Sequence, residues 1–358
     1  MDNQELLELI VKANTEQWEE LDLSDQGITE LPPEIGHLTN LTELYLNQNQ
    51  LTHLPPEIGN LINLTELYVV NNQLSCLPPE IGQLANLKQL YLWNNQLSYL
   101  PPEIGQLINL REIDLSENLF LQLPSEVLEL TNLKRLELSS NPRLHLSSEI
   151  GKLTNLTHLN LADNHLEQLP AEIGNLTHLK QLKLISNQLA ELPTDILELN
   201  NLTELYLNAN HLQQLPGAIA KLTHLMRLEL GSNQLTQIPP EIGNLTNLWH
   251  LDLSVNQLSQ LPEEIVHLTN LIEFNLMNNQ LTQLPQAIGQ LTNLKQLGLN
   301  YNQLRQLPTE MEKLTNLTHL YLENNQFPFD IPAEVHHLSP AEKIAYILRQ
   351  QKQAERVT

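Results

Sequence analysis

A segment of 23 residues recurs along the chain, and this period constrains the fold more than any other feature of the sequence. The copy LTNLTELYLNQNQLTHLPPEIGN begins at Leu38, and related copies follow at the same interval up to the one that begins at Leu314. A degenerate copy begins near Thr15, with Trp18 in place of a core leucine, which makes fourteen units. Because stacked copies of one short unit extend a core without widening it, the 358 residues need not divide into several globular domains.

The first half of each unit predicts a short β-strand with one buried face. Leu44 and Leu46 alternate with polar or aromatic neighbours, and this period of two is typical of a strand. Leu51 and Leu54 are also expected to point inward, and Pro55 ends the extended segment. The leucines therefore form the core, while the side chains between them line a surface that all the strands share.

The second half of each unit predicts a helical or 3₁₀ turn that begins at a second proline, such as Pro56. Gly59 would suit a turn that stops with a positive φ. Several units replace this glycine, for example with Leu128 or Val266, and there we expect a longer helical turn.

An asparagine follows the predicted strand in every unit except the first. A polar amide beside buried leucines needs partners for its donors and its acceptor, and stacked units bring the backbone groups of two turns within its reach. We therefore interpret these residues as a structural ladder and not as ligand-binding groups. Its members are Asn49, Asn72, Asn95, Asn118, Asn141, Asn164, Asn187, Asn210, Asn233, Asn256, Asn279, Asn302 and Asn325.

Neighbouring strands of a parallel sheet lie ~4.8 Å apart, whereas the outer turns need more room. The repeat therefore predicts an α/β solenoid, a horseshoe with a parallel sheet on its concave side and short helical or 3₁₀ turns on its convex side. We divide the chain, as one continuous domain, into an N-terminal capping helix (1–14), fourteen repeats (15–338) and a C-terminal capping helix and tail (339–358).

The two terminal helices are predicted because a solenoid exposes its core at both ends. In the first helix, Leu6, Leu7, Ile10 and Val11 share one face. In the second, the sequence from Ser339 has the pattern of a capping box. Its apolar stripe is expected to consist of Ala341, Ile344, Ala345 and Leu348. The alternative is that this stripe docks another protein.

The unit LxxLxLxxNxLxxLPxEIGxLxN, from about Thr15 to Leu338, resembles the leucine-rich repeat of the bacterial and Ras-associated type. The opening MDNQELLELIVKA and the following WEELDLSDQGITELPPEIG are also similar to the N-terminal region of bacterial Roco proteins, in which the repeats precede a GTPase domain. The resemblance implies protein recognition and, in Roco proteins, regulation of the GTPase. The 358 residues contain no G-x-x-x-x-G-K-[ST] phosphate loop, since Gly151-Lys152 belongs to a repeat.

Charge and cysteine content limit the class of partner. A net charge of −24 opposes binding to nucleic acids and to anionic membranes, because both depend on Lys and Arg. No apolar run of 18 residues or signal-peptide pattern occurs. Cys76 is the only cysteine, which excludes an intrachain disulfide and favours a reducing compartment. We expect a cytoplasmic protein that binds a protein partner, with no nucleic acid, membrane or small-molecule substrate.

Catalysis and metal binding are not expected. Cys76 has no histidine or basic residue beside it in the sequence. Most of the 13 histidines occupy variable repeat positions, and His336-His337 lacks the i, i+4 spacing that aims two imidazoles at one ion. The sequence therefore predicts no catalytic residues, no cofactor and no metal, and we do not expect an enzyme.

The outward strand positions are the informative ones, because the scaffold does not dictate them. Tyr45, Tyr68 and Tyr91 occupy the same position in three successive units and are flanked by Val70 and Trp93. A contiguous aromatic patch on a polar surface predicts a protein-binding site. The alternative is that stacked tyrosines only stabilise the sheet.

Charged residues of mixed sign follow the aromatic patch, and they suggest orientation of a partner more than net attraction. Further along, a looser apolar strip contains Tyr206, His250, Val255, Met277, Tyr301 and Tyr321. The predicted partner-binding residues are Tyr45, Tyr68, Val70, Tyr91, Trp93, Glu112, Asp114, Arg135, His158, Lys183 and Tyr206.

The pattern falters in two places. Pro142 and Arg143 disturb the turn of the unit that begins at Leu130, where Ser147 also replaces the usual proline, and the segment from Phe327 to Ile331 carries one extra residue. We interpret these departures as local loop variation and the approach of the end cap. The leading interpretation of the chain is a freestanding interaction module with a scaffold or regulatory role. A second is the detached N-terminal sensor region of a Roco-like GTPase, and a third is a secreted effector that binds host proteins.

Overall fold

The computed structural model describes residues 1–355, and these divide into two compact units. The first unit comprises Met1–Leu166 and Pro170–Leu179. The second comprises Glu167–Leu169 and the chain from Lys180 onward. Each unit is described below by itself.

Seven short parallel strands form the sheet of the first unit, and each pairs with the next along the chain. Paired residues are one repeat apart, as in Leu44 with Leu67. The strands are β1 (Glu20–Asp22), β2 (Glu43–Tyr45), β3 (Glu66–Tyr68), β4 (Gln89–Tyr91), β5 (Glu112–Asp114), β6 (Arg135–Glu137) and β7 (His158–Asn160).

The second unit repeats this arrangement with seven further strands, again paired in sequence order and in the same register. They are β8 (Gln181–Lys183), β9 (Glu204–Tyr206), β10 (Arg227–Glu229), β11 (His250–Asp252), β12 (Glu273–Asn275), β13 (Gln296–Gly298) and β14 (His319–Tyr321).

The repeated leucines form the core as predicted. Leu44, Leu46, Leu51 and Leu54 are all buried, and the residues on either side of Leu44 are half-buried. A five-residue 3₁₀ helix follows each strand, such as Pro56–Asn60 after β2. The parallel strands, the short outer turns and the terminal helices confirm the predicted solenoid fold class.

The glycine of the outer turn has a different role from the one expected. Gly27 is the only glycine of the described chain with a positive φ, and it lies outside these turns. At Gly59, a Cβ atom would lie 2.5 Å from the carbonyl oxygen of Glu80 in the next turn. Glycine is therefore used here for close approach between turns. The expectation of longer turns was also wrong, since the turns with Leu128 and Val266 keep the five-residue length.

Left-handed backbone occurs instead at the residue that precedes the ladder position. Sixteen non-glycine residues of the described chain have a positive φ, and fourteen of them occupy this position, one in each repeat, with φ between +50° and +59°. Gln48 is typical, and its N–H donates to the carbonyl oxygen of Val70 at 2.8 Å. Most residues at this position are polar, whereas Ala209 and Val255 are aliphatic and Tyr301 is aromatic. A bulky side chain in this region strains the backbone by roughly 1–2 kcal/mol.

The asparagine ladder has the predicted contacts. The Oδ1 atom of Asn118 accepts from the N–H of Leu97 at 2.9 Å, and its Nδ2 atom donates to the carbonyl oxygens of Leu92 and Leu115 at 3.0 and 3.2 Å. Asn210 makes the equivalent bonds in the second unit. Each amide thus joins two successive repeats, although the last member, Asn325, is only half-buried.

Helix α1 (Asn3–Thr15) covers the first repeat with a narrower face than predicted. Asp2 and Glu5 form a capping box at its N-terminus. Leu6, Ile10 and Ala13 are buried, but Leu7 is only half-buried and Val11 is exposed. The predicted face was too wide, because the buried stripe is a single row with spacings of four and three residues, and Leu7 and Val11 each lie one residue to its side.

Helix α2 (Pro340–Glu355) begins with the predicted capping box between Ser339 and Glu342. Its buried residues are Ile344, Ile347 and Leu348. Ala341 and Ala345, which the sequence placed on the apolar stripe, are exposed. The helix is rotated toward its larger side chains, which remove more apolar surface from water than alanine does. The last part of the predicted C-terminal tail, 356–358, lies outside the described residues, and the domain division made from the sequence stays a prediction.

Candidate functional site

Three tyrosines of the first unit form an ordered stack on the outward face of β2, β3 and β4. The ring centroids of Tyr45 and Tyr68 are 4.6 Å apart, as are those of Tyr68 and Tyr91, with interplanar angles of 13° and 10°. This spacing follows from the strand separation, because the three residues are in register. The sheet therefore fixes the rings side by side.

Each tyrosine hydroxyl is held by a side chain of its own strand. Tyr45 donates to an Oε atom of Glu43 at 2.6 Å, and Tyr68 donates to Glu66 at the same distance. Tyr91 donates to the side-chain oxygen of Gln89 at 2.7 Å. Both ends of each ring are thus fixed, and the stack has little conformational freedom to lose when a partner binds.

These surroundings raise the pKa values of the tyrosines. The hydrogen bond to Glu43 raises the pKa of Tyr45 to about 12, with a further contribution from burial. Burial is the main cause at Tyr68 and Tyr91, where the pKa is also raised. The hydroxyls therefore remain neutral donors to a higher pH than a tyrosine with the ordinary pKa of 10.0 would.

Trp93 and Val70 extend the stack along the face, and we call the five residues Tyr45, Tyr68, Val70, Tyr91 and Trp93 the tyrosine patch. The Trp93 side chain is 36% exposed, whereas Val70 and the tyrosines are half-buried. The backbone carbonyl of Trp93 accepts from the N–H of Asn71 at 2.9 Å, which joins the two repeats beside the stack. The structure thus brings the predicted aromatic residues together, and it also shows the cross-strand packing of the alternative interpretation.

The charged residues beside the patch have partners within the sheet. Arg135 lies 3.4 Å from Glu112 and 3.6 Å from Glu137. His158 contacts the hydroxyl of Thr157 at 2.9 Å. Burial raises the pKa of the Asp114 carboxyl, although a hydrogen bond from Ser116 opposes this effect. Arg135 is therefore neutralised by its neighbours, and the outward strand positions around the patch are predominantly acidic.

The remaining predicted binding residues, Lys183 and Tyr206, belong to the second unit. They are half-buried and in register on neighbouring strands. The hydroxyl of Tyr206 donates to Glu204 at 2.7 Å, and Gln181 donates to the same carboxylate at 2.7 Å. Burial is the main cause that raises the pKa of Tyr206 to about 12.

The sequence analysis missed a cluster around Arg227 in the second unit. The guanidinium carbon lies 5.5 Å from the ring centroid of Tyr206 and 5.6 Å from that of Trp249. Arg227 is also paired with Glu229, and His250 contacts Glu273 at 2.8 Å. The sequence places Arg227 on the strand next to that of Tyr206, and this could have predicted their contact. Trp249 lies just before β11, outside the strand positions, so its part in the cluster could not be predicted in this way.

The looser apolar strip also lies in the second unit. Val255 is 36% exposed and Tyr301 is 54% exposed, while Met277 is half-buried. Among the residues that the structure describes, no group of three or more His, Cys, Asp or Glu side chains is arranged to hold a metal ion. Neither α1 nor α2, the two α-helices of residues 1–355, has the length and apolar character of a membrane-spanning segment.

Comparison with protein families identifies leucine-rich repeats along most of the chain. A family described as leucine-rich repeat region matches residues 19–96, 73–168 and 137–234. A second, described as leucine rich repeat, matches 223–281 and 269–327. No curated protein matches the chain.

Solved structures include several similar proteins. A leucine-rich-repeat protein of Leptospira interrogans is 43% identical, with a TM-score of 0.84, over 91% of this chain and 80% of that one. An internalin of Listeria monocytogenes is 26% identical, with a TM-score of 0.71, over 92% and 90%.

The ectodomain of a plant membrane receptor kinase from Arabidopsis thaliana, in complex with CASPARIAN STRIP INTEGRITY FACTOR 2, is 33% identical, with a TM-score of 0.66. It matches over 88% of this chain and 42% of that one. Repeat length, buried leucines, asparagine ladder and family matches agree, and the chain belongs to the leucine-rich-repeat family.

Proposed function

We propose that the protein binds a partner protein through the tyrosine patch and acts as a scaffold or a regulator. The observation that carries the proposal is the exposed Trp93 beside an ordered tyrosine stack. Large amphipathic rings that are already fixed give contact area at a low cost in conformational entropy. Scaffold stability requires neither Trp93 nor Val70, because other repeats place different residues at these positions.

The charges around the patch support a protein partner and oppose a nucleic acid. Outward carboxylates surround the stack, and Arg135 is paired with two of them. A phosphate backbone would be repelled, whereas a protein surface with basic and apolar groups would be complementary. The Arabidopsis receptor ectodomain in complex with CASPARIAN STRIP INTEGRITY FACTOR 2 is a similar chain that was solved with a bound partner.

The test compares affinity purifications from native lysate with the wild-type protein and with a Tyr68→Ala/Trp93→Ala variant. A partner of the patch is recovered by the wild type and lost with the variant, and its binding weakens by ~2 kcal/mol or more in a titration. Tyr99→Ala is the matched control, because this tyrosine is 57% exposed but lies outside the patch. Equal recovery of the same proteins by a folded double variant would refute the proposal.

We also propose that the protein works without catalysis and in the cytoplasm. The lone Cys76 supports a reducing compartment, since no intrachain disulfide can form. Fractionation of the source cells with an antibody against the protein tests the location. Recovery in a secreted or surface fraction would contradict it.

A second candidate function is that of the sensor region of a Roco-like GTPase. The residues that favour it are the opening helix and the WEELDLSDQGITELPPEIG segment, which resemble the start of Roco proteins. Lys183 and Tyr206 would then lie on a surface available to the GTPase or its regulators. Sequencing of the gene beyond the codon for Thr358 tests this alternative, which requires a phosphate-loop motif in the same reading frame.

A further inference from the structure

The irregular unit around Pro142 opens a cleft in the side of the first unit, away from the tyrosine patch. The cleft has a volume of about 380 Å³ and is lined by Leu119, Phe120, Leu121, Pro142 and Arg143. We call it the flank cleft. It lies on the loops that follow β5 and β6 and shares no residue with the outward strand positions.

The cleft forms because the loop after β6 makes a different set of hydrogen bonds from the loops of the neighbouring repeats. In the preceding repeats, the residue after the ladder asparagine donates its N–H to the previous repeat, as Leu119 does to Leu97 at 2.8 Å. Pro142 occupies this position and has no N–H to donate. The loop after β6 therefore lacks the bond that holds the other loops against the stack.

The difference is visible in the hydrogen bonds of the ladder asparagines. The Oδ1 atom of Asn164 accepts from the N–H of Asn141 at 2.8 Å, whereas Asn118 and Asn141 accept from the residue two positions further along the preceding repeat, Leu97 and Phe120. Leu144 points into the core, and Arg143 is turned out to solvent at a position where the neighbouring unit buries Phe120. The loop is thus rebuilt around an outward arginine.

Two leucines form the exposed wall of the flank cleft. Leu119 is 56% exposed and Leu121 is 58% exposed, and the buried Phe120 lies between them in the sequence. The preceding unit has Gln96 and Ser98 at the positions of the two leucines. Polar residues therefore satisfy the fold at these positions, and the leucines add exposed apolar surface that the scaffold does not need.

One arginine, Arg143, lines the cleft in a chain whose net charge is −24. Arg143 takes part in none of the ion pairs found among residues 1–355, so its guanidinium is available to a carboxylate. The imidazoles of His145 and His165 are exposed nearby, and His165 contacts the carbonyl oxygen of Pro142 at 3.2 Å. An arginine beside an apolar depression is a common composition of binding hot spots.

We propose that the flank cleft binds an extended segment of another protein in which a large apolar side chain lies close to an Asp or Glu. The apolar side chain fills the depression between Leu119, Leu121 and Pro142, and the carboxylate pairs with Arg143 in a fork geometry. This is a second interaction surface, and its test does not depend on whether the tyrosine patch binds a partner.

The test selects a phage-displayed library of random linear peptides on immobilised wild-type protein, with excess soluble Leu119→Gln/Leu121→Ser protein as competitor. The competitor removes peptides that bind elsewhere. Its two substitutions restore residues that the neighbouring unit already has, so it should fold normally. Selected peptides should contain a large apolar residue near Asp or Glu and should bind the double variant at least about tenfold more weakly.

Arg143→Ala and an Asp→Asn or Glu→Gln version of a selected peptide form a double-mutant cycle. The amide peptide should bind the wild type several-fold more weakly, and this difference should vanish with Arg143→Ala. Ile108→Thr, an exposed apolar residue on another loop, is the matched control and should bind as the wild type does.

Three outcomes would overturn the proposal. They are a selection in which no peptide survives the competitor, peptides enriched in Lys or Arg in place of acidic residues, and a carboxylate effect that persists after Arg143→Ala. If the Leu119→Gln/Leu121→Ser variant unfolds at a lower temperature than the wild type, its weaker binding could reflect lost stability. The double-mutant cycle with Arg143→Ala then decides whether the proposal is correct.

Discussion

The side-chain amide of Gln351 pairs with both backbone polar groups of Leu307. Its Oε1 atom accepts from the Leu307 N–H at 2.9 Å, and its Nε2 atom donates to the Leu307 carbonyl oxygen at 3.1 Å. A residue of α2 is thereby tied to a loop 44 residues earlier in the chain. Together with the buried Ile344, Ile347 and Leu348, this pair fixes the helix on the last repeats.

Gln351→Ala should lower the free energy of unfolding by about 1–2 kcal/mol, because two partly buried backbone groups lose their partner. Urea unfolding measures the change. Gln353→Ala is the control, since Gln353 is exposed on the same helix, and its effect should be within about 0.5 kcal/mol of zero. Equal effects of the two substitutions would contradict the role of the Gln351 pair.

Asn118→Ala should destabilise the protein by several times as much as Asn109→Ala. Asn118 is buried and bonds to four backbone groups of two repeats. Its loss leaves these groups unsatisfied, at a cost on the order of 3 kcal/mol. Asn109 makes one exposed bond to the carbonyl oxygen of Ala85 and should cost under about 1 kcal/mol. Thermal unfolding of both variants tests the difference, and similar melting temperatures would count against the ladder.

Val255→Asn should stabilise the protein by about 1 kcal/mol, because a β-branched residue is strained in the left-handed region and asparagine is not. Other repeats have asparagine at this position, for example Asn278. The control is Val11→Asn on α1, where the valine is exposed and both residues have similar helix propensities. Unfolding in guanidinium compares the two, and a destabilised Val255→Asn protein would show that the valine packing outweighs the strain.

The tyrosines with raised pKa values should ionise late in an alkaline titration of phenolate absorbance. Tyr45, with a pKa of about 12, should remain neutral well above its ordinary value of 10.0. Glu43→Gln should lower this pKa, because the charged acceptor is its largest cause. A transition near the ordinary value for all tyrosines would refute the hydrogen-bonded stack.

The same shift makes a prediction about stability. A pKa that is raised by folding means that the folded state holds the phenol proton more tightly. The contribution of Tyr45 to stability is therefore fully present below its ordinary pKa of 10.0 and is lost as the pH rises through about 12. Tyr45→Phe should remove this part of the alkaline loss of stability, which urea unfolding at several pH values measures.

Sequence reasoning succeeded where the repeat imposes the same requirement on every unit. Leu44 and Leu46 are buried because they alternate along a strand, and Asn118 is bonded to two repeats because its amide is buried. It failed at Gly59, where the assumed reason was a positive φ and the actual reason is the approach of Glu80. A single unit contains no information about the distance to the next one.

The candidate surfaces divide in the same way. The alignment of Tyr45, Tyr68 and Tyr91 could be read from their shared position in the repeat, and the sheet stacks them as the register requires. Two other features could not be predicted from the sequence. The pairing of Arg135 with its neighbours depends on side-chain rotation, and the outward position of Arg143 depends on the hydrogen bonds of its loop.

By itself, the sequence determined the 23-residue period, the inward leucines, the asparagine ladder and the helices at the two ends. Tertiary structure alone decided which helix face is buried, which residue of each repeat is left-handed and where the flank cleft opens. The physical reason is that burial periodicity is a local property of the chain. Contacts between repeats depend instead on the shape of surfaces that are assembled only when the repeats stack.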